Sequence, residues 1–388
     1  MTAGIDTVLI VHVAREWKIF HRRHMLLALA EVLPPQVAML CVNRPITPDV
    51  TLWKDPPRFW RRAGTFEDGR VRVVTPRLLL HDITAGRIPG APAANTALLR
   101  RKVRACLRSY YPSARRVIQW VYHPLQRWVY GAFPEAERVY ECYDEYTRTP
   151  DGALVASSWR DEQALVRLVD LTFVTSQALL ESRRSLTRRL IRTPNGVPEF
   201  FFDMVPDSSD QLVQIPSPRI VYVGNARPPL DFSLLEEVFR HRPGWQLIFA
   251  GPVDRSVRIP GLRSLPNVHF LPERSFQSVP PLLRQMDAGL IPFQINEFSR
   301  ALNPLKLAEY LACGLPVVAS QLPELSTLGE LVFTAPNEPE PFEAAIARAL
   351  AVDRPSHSRR AIAVARELSW TTIARRYVLP ELESAFHL

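Results

Sequence analysis

The chain has 388 residues, of which 47% are hydrophobic and 22% charged. At roughly 100 to 200 residues per domain this length predicts two domains or three, and the composition excludes a disordered protein or a small disulfide-stapled scaffold. The four cysteines lie far apart without a CxxC pair, which argues against a zinc knuckle and favours a reducing cytoplasm. No window approaches the ~18 uninterrupted apolar residues of a membrane-spanning helix, and the start does not read as an export signal.

The net charge of +9 is concentrated in the first half of the chain. Residues 1–200 hold 30 Lys and Arg against 19 Asp and Glu, whereas residues 201–388 hold 18 against 20. Such asymmetry predicts an anionic partner for the first half: nucleic acid, an anionic membrane leaflet or a phosphorylated substrate. The alternative is compositional drift in an Arg-rich genome, since 44 of the 48 basic residues are Arg.

Short β-rich segments alternate with amphipathic segments through the first 190 residues. Strands are predicted at Thr7–Val13, Gln36–Asn43, Arg70–Pro76, Arg116–Tyr122, Arg138–Tyr143 and Leu171–Ser176. Helices are predicted at Arg22–Leu33, Thr96–Arg108, Ser158–Val169 and Gln177–Leu190, the last capped by Ser176. This alternation predicts a parallel sheet.

The turn-forming sequence TPNGVP at 193–198, followed by a stretch rich in Asp, Ser and Pro, predicts a domain boundary. Strands then resume at Ile220–Gly224, Gln246–Pro252, Val268–Leu271, Ala288–Phe293, Pro316–Ser320 and Leu331–Ala335. We expect two doubly wound α/β domains, 1–198 and 199–369, facing each other across a ligand-binding cleft. No GxGxxG follows the first strand and no GxxxxGK[ST] occurs, which weighs against a dinucleotide oxidoreductase and a P-loop NTPase.

The most informative segment is Glu297–Ser320, EFSRALNPLKLAEYLACGLPVVAS. Asn303 is predicted to cap a helix, with Pro304 as its first residue, Cys313 near its end and Gly314 closing it. Lys306 and Glu309 then stand one turn apart on one face. A cation in the first turn is unfavourable at the positive end of the helix dipole, unless a bound anion offsets it. A carboxylate one turn further along can accept hydrogen bonds from two adjacent hydroxyl groups. The alternative is a surface ion pair.

The stretch NPLKLAEYLACGLPVVAS resembles the nucleotide-sugar signature of retaining glycosyltransferases of the two-Rossmann GT-B architecture, in the bacterial group related to glycosyltransferase family four. Further segments match the family in the same order along the chain. They are YDEY at 143–146, TPNGV at 193–197, and Ile220–Gly224 with Asp231–Leu235. The resemblance covers nearly the whole chain, and it implies transfer of a hexose from a nucleotide sugar without cofactor or metal. It also implies that the C-terminal domain binds the donor and the N-terminal domain the acceptor.

Carried over position by position, the resemblance implies that Glu309 grips the ribose hydroxyls and that Lys306 and Arg227 neutralise the diphosphate. Gly224 and the backbone from Asn303 through Pro304 to Leu305 would touch phosphate or sugar. His123 would lie near the donor sugar, with a structural histidine before Pro124 as the equal alternative. Arg227 is otherwise a loop arginine, and Asp231 is expected to cap a helix rather than bind ligand.

The sequence departs from the family at one position. The wider family has two glutamates eight residues apart, and the position eight before Glu309 is Ala301. The group that grips the sugar is either missing or supplied by another residue, with Glu297 and Asn303 as the candidates, so the identity of the donor stays open. A catalytically inactive GT-B scaffold and a nucleotide-sugar epimerase therefore remain as alternatives.

The acceptor side is predicted from basic and aromatic residues that interleave over Leu98–Tyr130, with Asp144 nearby. Arg100, Arg101, Lys102 and Arg104 lie on one predicted helix and could hold the protein peripherally at the cytoplasmic face of the membrane. This predicts a lipid-linked or polysaccharide-precursor acceptor; the alternative is a solvated helix over an aromatic core. The family resemblance implies a UDP- or GDP-sugar as the donor. A nucleic-acid partner is not expected, since no RNP or helix-turn-helix pattern supports one. The last helix, 370–388, is expected to pack back on the N-terminal domain.

Overall fold

The structure is a computed structural model that describes residues 4–60, 63–85, 87–203, 212 and 214–388. The chain divides into two compact units. The first comprises Met1–Thr147, Leu154–Thr193 and Ile373–Leu388, and the second Arg148–Ala153 and Pro194–Thr372. The division at 193/194 falls five residues before the predicted boundary, because the backbone of Val197 already pairs with Leu368 and Trp370 of the second unit. Much of the Asp-, Ser- and Pro-rich stretch lies outside the described residues.

The first unit is built on an eight-stranded sheet in the order β3-β4-β2-β1-β5-β6-β7-β8. Its strands are β1 (Thr7–His12), β2 (Val37–Val42), β3 (Thr65–Asp68), β4 (Val71–Val74), β5 (Arg116–Val121), β6 (Glu137–Cys142), β7 (Leu171–Val174) and β8 (Leu190–Arg192). All pairs are parallel except β3 with β4. The central strand β1 is buried at all six residues, which is typical of a parallel sheet covered on both faces.

The helices of this unit lie between its strands. They are α1 (Arg23–Val32), α2 (Pro48–Lys54), α3 (Pro56–Trp60), α4 (Asp82–Ala85), α5 (Ala91–Tyr110), α6 (Ala156–Val166) and α7 (Gln177–Arg183). A 3₁₀ helix, Pro124–Ala132, follows β5.

The second unit has a six-stranded parallel sheet in the order β11-β10-β9-β12-β13-β14. Its strands are β9 (Arg219–Val223), β10 (Gln246–Ala250), β11 (Val268–Leu271), β12 (Ala288–Ile291), β13 (Val317–Ser320) and β14 (Val332–Ala335). Its helices are α8 (Phe232–His241), α9 (Pro260–Ser264), α10 (Val279–Leu283), α11 (Leu305–Ala312), α12 (Pro339–Leu350) and α13 (Arg354–Glu367). When the strands of this unit are counted from β9 as the first, their order in the sheet is 3-2-1-4-5-6, the doubly wound Rossmann arrangement.

The C-terminal segment is α14 (Trp370–Ile373), a π-helical turn (Ala374–Val378) and α15 (Leu379–Phe386). Two contacts tie it to the first unit: the guanidinium of Arg189 lies 3.1 Å from the Glu381 carboxylate, and Arg116 donates to the carbonyl of Phe386 across 2.6 Å. Only the part from Ile373 onward belongs to that unit, whereas the predicted segment began at 370.

The sequence misses several short elements and misplaces some helix ends. Strand β3 has no alternating apolar pattern and forms because Gly69, at φ +57°, turns the chain back onto β4. Strand β8 begins at Leu190, where the periodicity had extended a helix; α7 ends at Arg183 instead. Helix α5 begins five residues earlier than predicted, after Gly90 in a left-handed conformation. None of the helices in the described part of the chain could span a bilayer.

Candidate functional site

The point where strand order reverses in the second sheet lies between β9 and β12. These strands pair only at Ile220 with Ala288 and Val221 with Gly289, and then they separate. Ligands of doubly wound sheets bind beyond the carboxyl ends of the strands at such a switch point. The candidate site is therefore built from the residues that follow β9, β10 and β12.

Tyr310, on α11, fills the gap where β9 and β12 separate. Its hydroxyl accepts a hydrogen bond from the N–H of Val223 at 3.0 Å, and the carbonyl oxygen of Leu290 lies 3.4 Å away. The ring fits because Gly289 has no side chain: a Cβ there would lie 2.6 Å from the ring. Tyr310 thus fixes the position of α11, and with it the two preceding polar residues of that helix, Lys306 and Glu309.

The start of α11 differs from the prediction in one detail. Pro304, not Asn303, is the N-cap residue, and Leu305 is the first helical residue. The Asn303 side chain does not cap the helix, because it donates to the carboxylate of Glu324 at 3.0 Å. The Asn303 carbonyl accepts from the side chain of Asn195 at 2.5 Å, so the PNGV segment holds this loop in place. Gly314, at φ +70°, ends the helix as predicted.

Lys306 extends from the first turn of α11 to the end of β9. Its ammonium group lies 4.9 Å from the centre of the Tyr222 ring, a cation–π contact. A Cβ placed on Gly224 would be 3.3 Å from Lys306 Nζ, so the ammonium lies against the backbone of Gly224. The cation and the N–H groups of the helix start together form a place for an anion.

Gly224 and Gly251 end the adjacent strands β9 and β10, and both have positive φ, +110° and +140°. A Cβ on Gly251 would lie 2.6 Å from the carbonyl oxygen of Gly224, so the two backbones touch. Two glycines in contact leave the strand ends bare of side chains. A ligand could therefore approach the backbone closely here.

Glu309 is 9% exposed, and no hydrogen bond to its carboxylate is found among the described residues. Burial raises its pKa from 4.5 to about 7, and the charge of Lys306 opposes that rise. A buried carboxyl group without a partner is costly to ionise and is typical of a functional position. It would be satisfied by ligand hydroxyl groups that donate to both oxygens.

The other residues predicted in this unit make contacts of their own. Asp231 caps α8 by accepting from Leu234 N–H at 3.1 Å, as expected, and it also accepts from Asn337 at 2.8 Å. Arg227 is exposed on the loop after β9 and lies near Asp254, whose pKa it helps to lower. Glu297 is 66% exposed, with Arg148 at 3.9 Å. Ala301 is buried in a 3₁₀ turn.

In the first unit, His123 caps the 3₁₀ helix that follows β5. Its Nδ1 accepts from the N–H of Leu125 at 3.1 Å, and Gln126 completes the capping box by accepting from the N–H of His123. This capping contact gives His123 a structural role, and its place near a donor sugar stays a prediction. Asp144 accepts from the N–H of Glu145 at 2.9 Å, so this carboxylate also serves the local turn.

The basic helix α5 is less available than predicted. Arg100 donates to the carbonyl oxygens of Gly131 and Ala132 and so braces the neighbouring 3₁₀ helix. The guanidinium of Arg104 lies 5.8 Å from the centre of the Phe133 ring. Arg101 and Arg104 are exposed, and Lys102 is half-buried.

The sequence of the second unit matches a known family. The family described as Glycosyl transferases group 1 matches residues 217–352, which contain every residue of the candidate site except Asn195. The similarity to group 1 glycosyltransferases thus lies in the second unit, around the candidate site. The chain is also 31% identical over 138 residues to TuaH of Bacillus subtilis (strain 168), whose name assigns it to the glycosyltransferases of teichuronic acid biosynthesis. That match spans 34% of this chain and about a third, 35%, of TuaH.

Solved structures share the fold over nearly the whole chain. Sucrose-phosphate synthase from Thermosynechococcus elongatus superposes with a TM-score of 0.70 at 16% identity, covering 96% of this chain and 97% of that one. Anabaena Alr3699/HepE in complex with UDP superposes with a TM-score of 0.66 at 16% identity, covering 97% of this chain and 100% of that one. The predicted fold class, α/β with two doubly wound units of the GT-B kind, is confirmed.

Sequence reasoning missed four residues of this site: Tyr310, Glu324, Asn195 and Gly251. The tyrosine was visible within the EYLA motif, but nothing local indicates that its hydroxyl inserts between two strands. Asn195 and Glu324 contact Asn303 from positions 108 and 21 residues away. Such contacts depend on the tertiary fold, and a single sequence carries no signal for them.

Proposed function

We propose that this protein is a glycosyltransferase that transfers a hexose from a nucleotide sugar to a glycan or lipid-linked acceptor. The observation that carries the proposal is the buried, unpartnered carboxyl of Glu309 one turn from Lys306, at the switch point of the unit whose sequence matches group 1 glycosyltransferases. A nucleoside diphosphate matches this pair in chemistry: adjacent ribose hydroxyls can donate to the carboxylate, and the diphosphate suits the cation.

The transfer step depends on stabilising the leaving group. The bond from the anomeric carbon to the diphosphate oxygen breaks and the diphosphate takes the electron pair, while the acceptor oxygen bonds to that carbon. Lys306, the first N–H groups of α11 and Arg227 supply positive charge to the leaving diphosphate, and such preorganised groups can contribute several kcal/mol. Attack from the face of the leaving group, with the acceptor proton passing to the diphosphate, would retain the anomeric configuration, as the family resemblance implies.

For the acceptor, the first unit carries the chain's excess of positive charge. We propose that it binds an acceptor on an anionic membrane, acting as a peripheral protein of the cytoplasmic face. The similarity to TuaH, whose name places it in teichuronic acid biosynthesis, supports a polysaccharide precursor as the acceptor class. Uridine is the first base to test, because the similar HepE structure contains UDP.

The experiment is a thermal-shift screen of the purified protein against UDP, GDP, ADP, dTDP and their common sugar conjugates. A ligand at a hundred times its dissociation constant stabilises by about 2.7 kcal/mol, which gives a clear shift. We expect one base to shift the melting temperature, and its sugar conjugate to release nucleoside diphosphate when acceptor is added. Nucleotide binding without any transfer would support the inactive scaffold, and conversion of the donor without acceptor would support an epimerase.

A further inference from the structure

The first unit exposes two tryptophans on adjacent helices. Trp53 is 81% exposed on α2 and Trp60 is 76% exposed on α3; among the described residues these are the two most exposed large apolar side chains. Large apolar side chains exposed together mark interaction sites more often than isolated ones do. Both helices follow β2, so they lie at the carboxyl edge of the first sheet.

Two further exposed apolar residues adjoin these helices. Leu79, 55% exposed, belongs to a segment that runs beside both helices: Arg77 donates to the carbonyl of Phe59 on α3 at 2.8 Å, and the N–H of His81 donates to Asp49 on α2 at 3.0 Å. Ile88, 43% exposed, follows α4, and Thr84 of α4 hydrogen-bonds to the side chain of Asp49 on α2. We call Trp53, Trp60, Leu79 and Ile88 the apolar edge patch.

The helices under the patch are held by internal contacts. The buried Arg58 of α3 donates to the carbonyl of Arg44 at 2.7 Å, and its other nitrogen lies 3.6 Å from Glu16. The Phe59 and Trp60 rings meet edge to face at 5.2 Å. The exposure of the tryptophans is therefore a property of the folded unit.

The charges around the patch are mainly positive. Lys54, Arg77 and Arg87 are exposed on the same segments, and among the side chains that the structure describes there Asp55 is the one exposed carboxylate. Tryptophan is enriched at the headgroup level of bilayers, and basic residues beside it are attracted to anionic lipids. The charge complementarity thus indicates one occupant, the surface of an anionic phospholipid bilayer.

We propose that the apolar edge patch is the membrane-binding surface of this protein, with the tryptophans inserted at the headgroup level. The inference rests on the proposed function, because the patch lies at the edge of the first sheet where an acceptor would bind. It assigns the contact to α2 and α3 rather than to α5, whose Arg100 is engaged in internal hydrogen bonds.

The test is co-sedimentation of the full chain with vesicles of phosphatidylcholine containing 30% phosphatidylglycerol (about a third anionic lipid), and with phosphatidylcholine alone. The patch variant is Trp53→Ala with Trp60→Ala. The matched control, Leu168→Ala with Tyr377→Ala, removes two apolar side chains of the same unit that are 39% and 40% exposed. We expect binding to the anionic vesicles, a loss of about 10- to 100-fold in partition for the patch variant, and little change for the control.

Equal partition of the patch variant and the wild type would overturn the proposal, and so would no binding of the wild type to anionic vesicles. If the patch variant loses only self-association, measured by light scattering, the surface is a contact between protein chains. That result would also overturn the proposal. Nucleoside diphosphate binding is measured on the same samples without vesicles. If the wild type binds no nucleoside diphosphate, that result counts against the proposed function. The vesicle result tests the apolar edge patch alone.

Discussion

The ammonium group of Lys306 lies against Gly224, so that a Cβ on the glycine would be 3.3 Å from its nitrogen. The contact joins the first turn of α11 to the carboxyl end of β9, the two elements that border the switch point. It holds a cation beside a bare backbone, which is the arrangement that a diphosphate needs.

Replacing Lys306 by Met keeps most of the side chain's length and removes its charge. We expect kcat to fall about 100-fold or more, because the proposed site of the leaving diphosphate loses a cation. Steady-state rates of nucleoside diphosphate release, with the dissociation constant measured separately, check this. If the variant kept a third or more of the wild-type rate, Lys306 would have no role in the transfer step.

Replacing Gly224 by Ala forces a side chain onto a residue at φ +110° and against Lys306. We expect a loss of about 1 to 2 kcal/mol in stability and weaker binding of nucleoside diphosphate. Gly244→Ala is the control, because a Cβ there meets nothing within 4 Å. Equal effects of the two substitutions on nucleotide affinity would contradict the assigned contact.

The pKa of Glu309 predicts a pH dependence of stability. Its value is raised from 4.5 to about 7 in the folded chain, so folding takes up a proton between these pH values. The carboxyl therefore lowers stability progressively as the pH rises from 4.5 to 7, by about 3 kcal/mol in total, with no further change above that range. Glu309→Gln removes this loss.

Denaturant unfolding of the wild type and Glu309→Gln at pH 5.5, 6.5 and 7.5 checks this prediction. The free energy of unfolding of Glu309→Gln, relative to that of the wild type, should increase as the pH rises. A constant difference across the three pH values would show that the carboxyl is not buried as described.

Replacing Asp231 by Ala removes the cap of α8. We expect a loss of about 1 kcal/mol in stability, because one N–H group at the helix start loses its acceptor. Nucleotide affinity should be unchanged once folding is complete. A tenfold or larger loss of affinity at a temperature where the variant is folded would identify Asp231 as a ligand instead.

The sequence was sufficient for the sheet strands of the second unit, because buried parallel strands such as Gln246–Ala250 are continuous apolar segments between turn signals. It also placed Lys306 and Glu309 on one helical face, since their spacing is a property of the helix itself. Short edge strands were missed, because β3 owes its existence to a partner strand rather than to its own pattern.

The capping residue of α11 was predicted wrongly for a tertiary reason. Asn303 is a good cap by type, yet its side chain is engaged with Glu324 from a later loop. Likewise the exposure of Trp53 and Trp60 could not be read from residue type, since tryptophan usually packs inside. Local rules predicted the elements, and contacts between distant residues determined what each side chain does.

The most direct test of the donor site is calorimetric titration of the nucleoside diphosphate found in the screen into wild type and Glu309→Gln. The titration is run at pH 6 and pH 8, on either side of the Glu309 pKa of about 7. We predict that the wild type binds about tenfold more tightly at pH 8, because the ligand hydroxyls require the ionised carboxylate, and that the variant binds weakly at both values. Tight binding by the variant, independent of pH, would contradict the account.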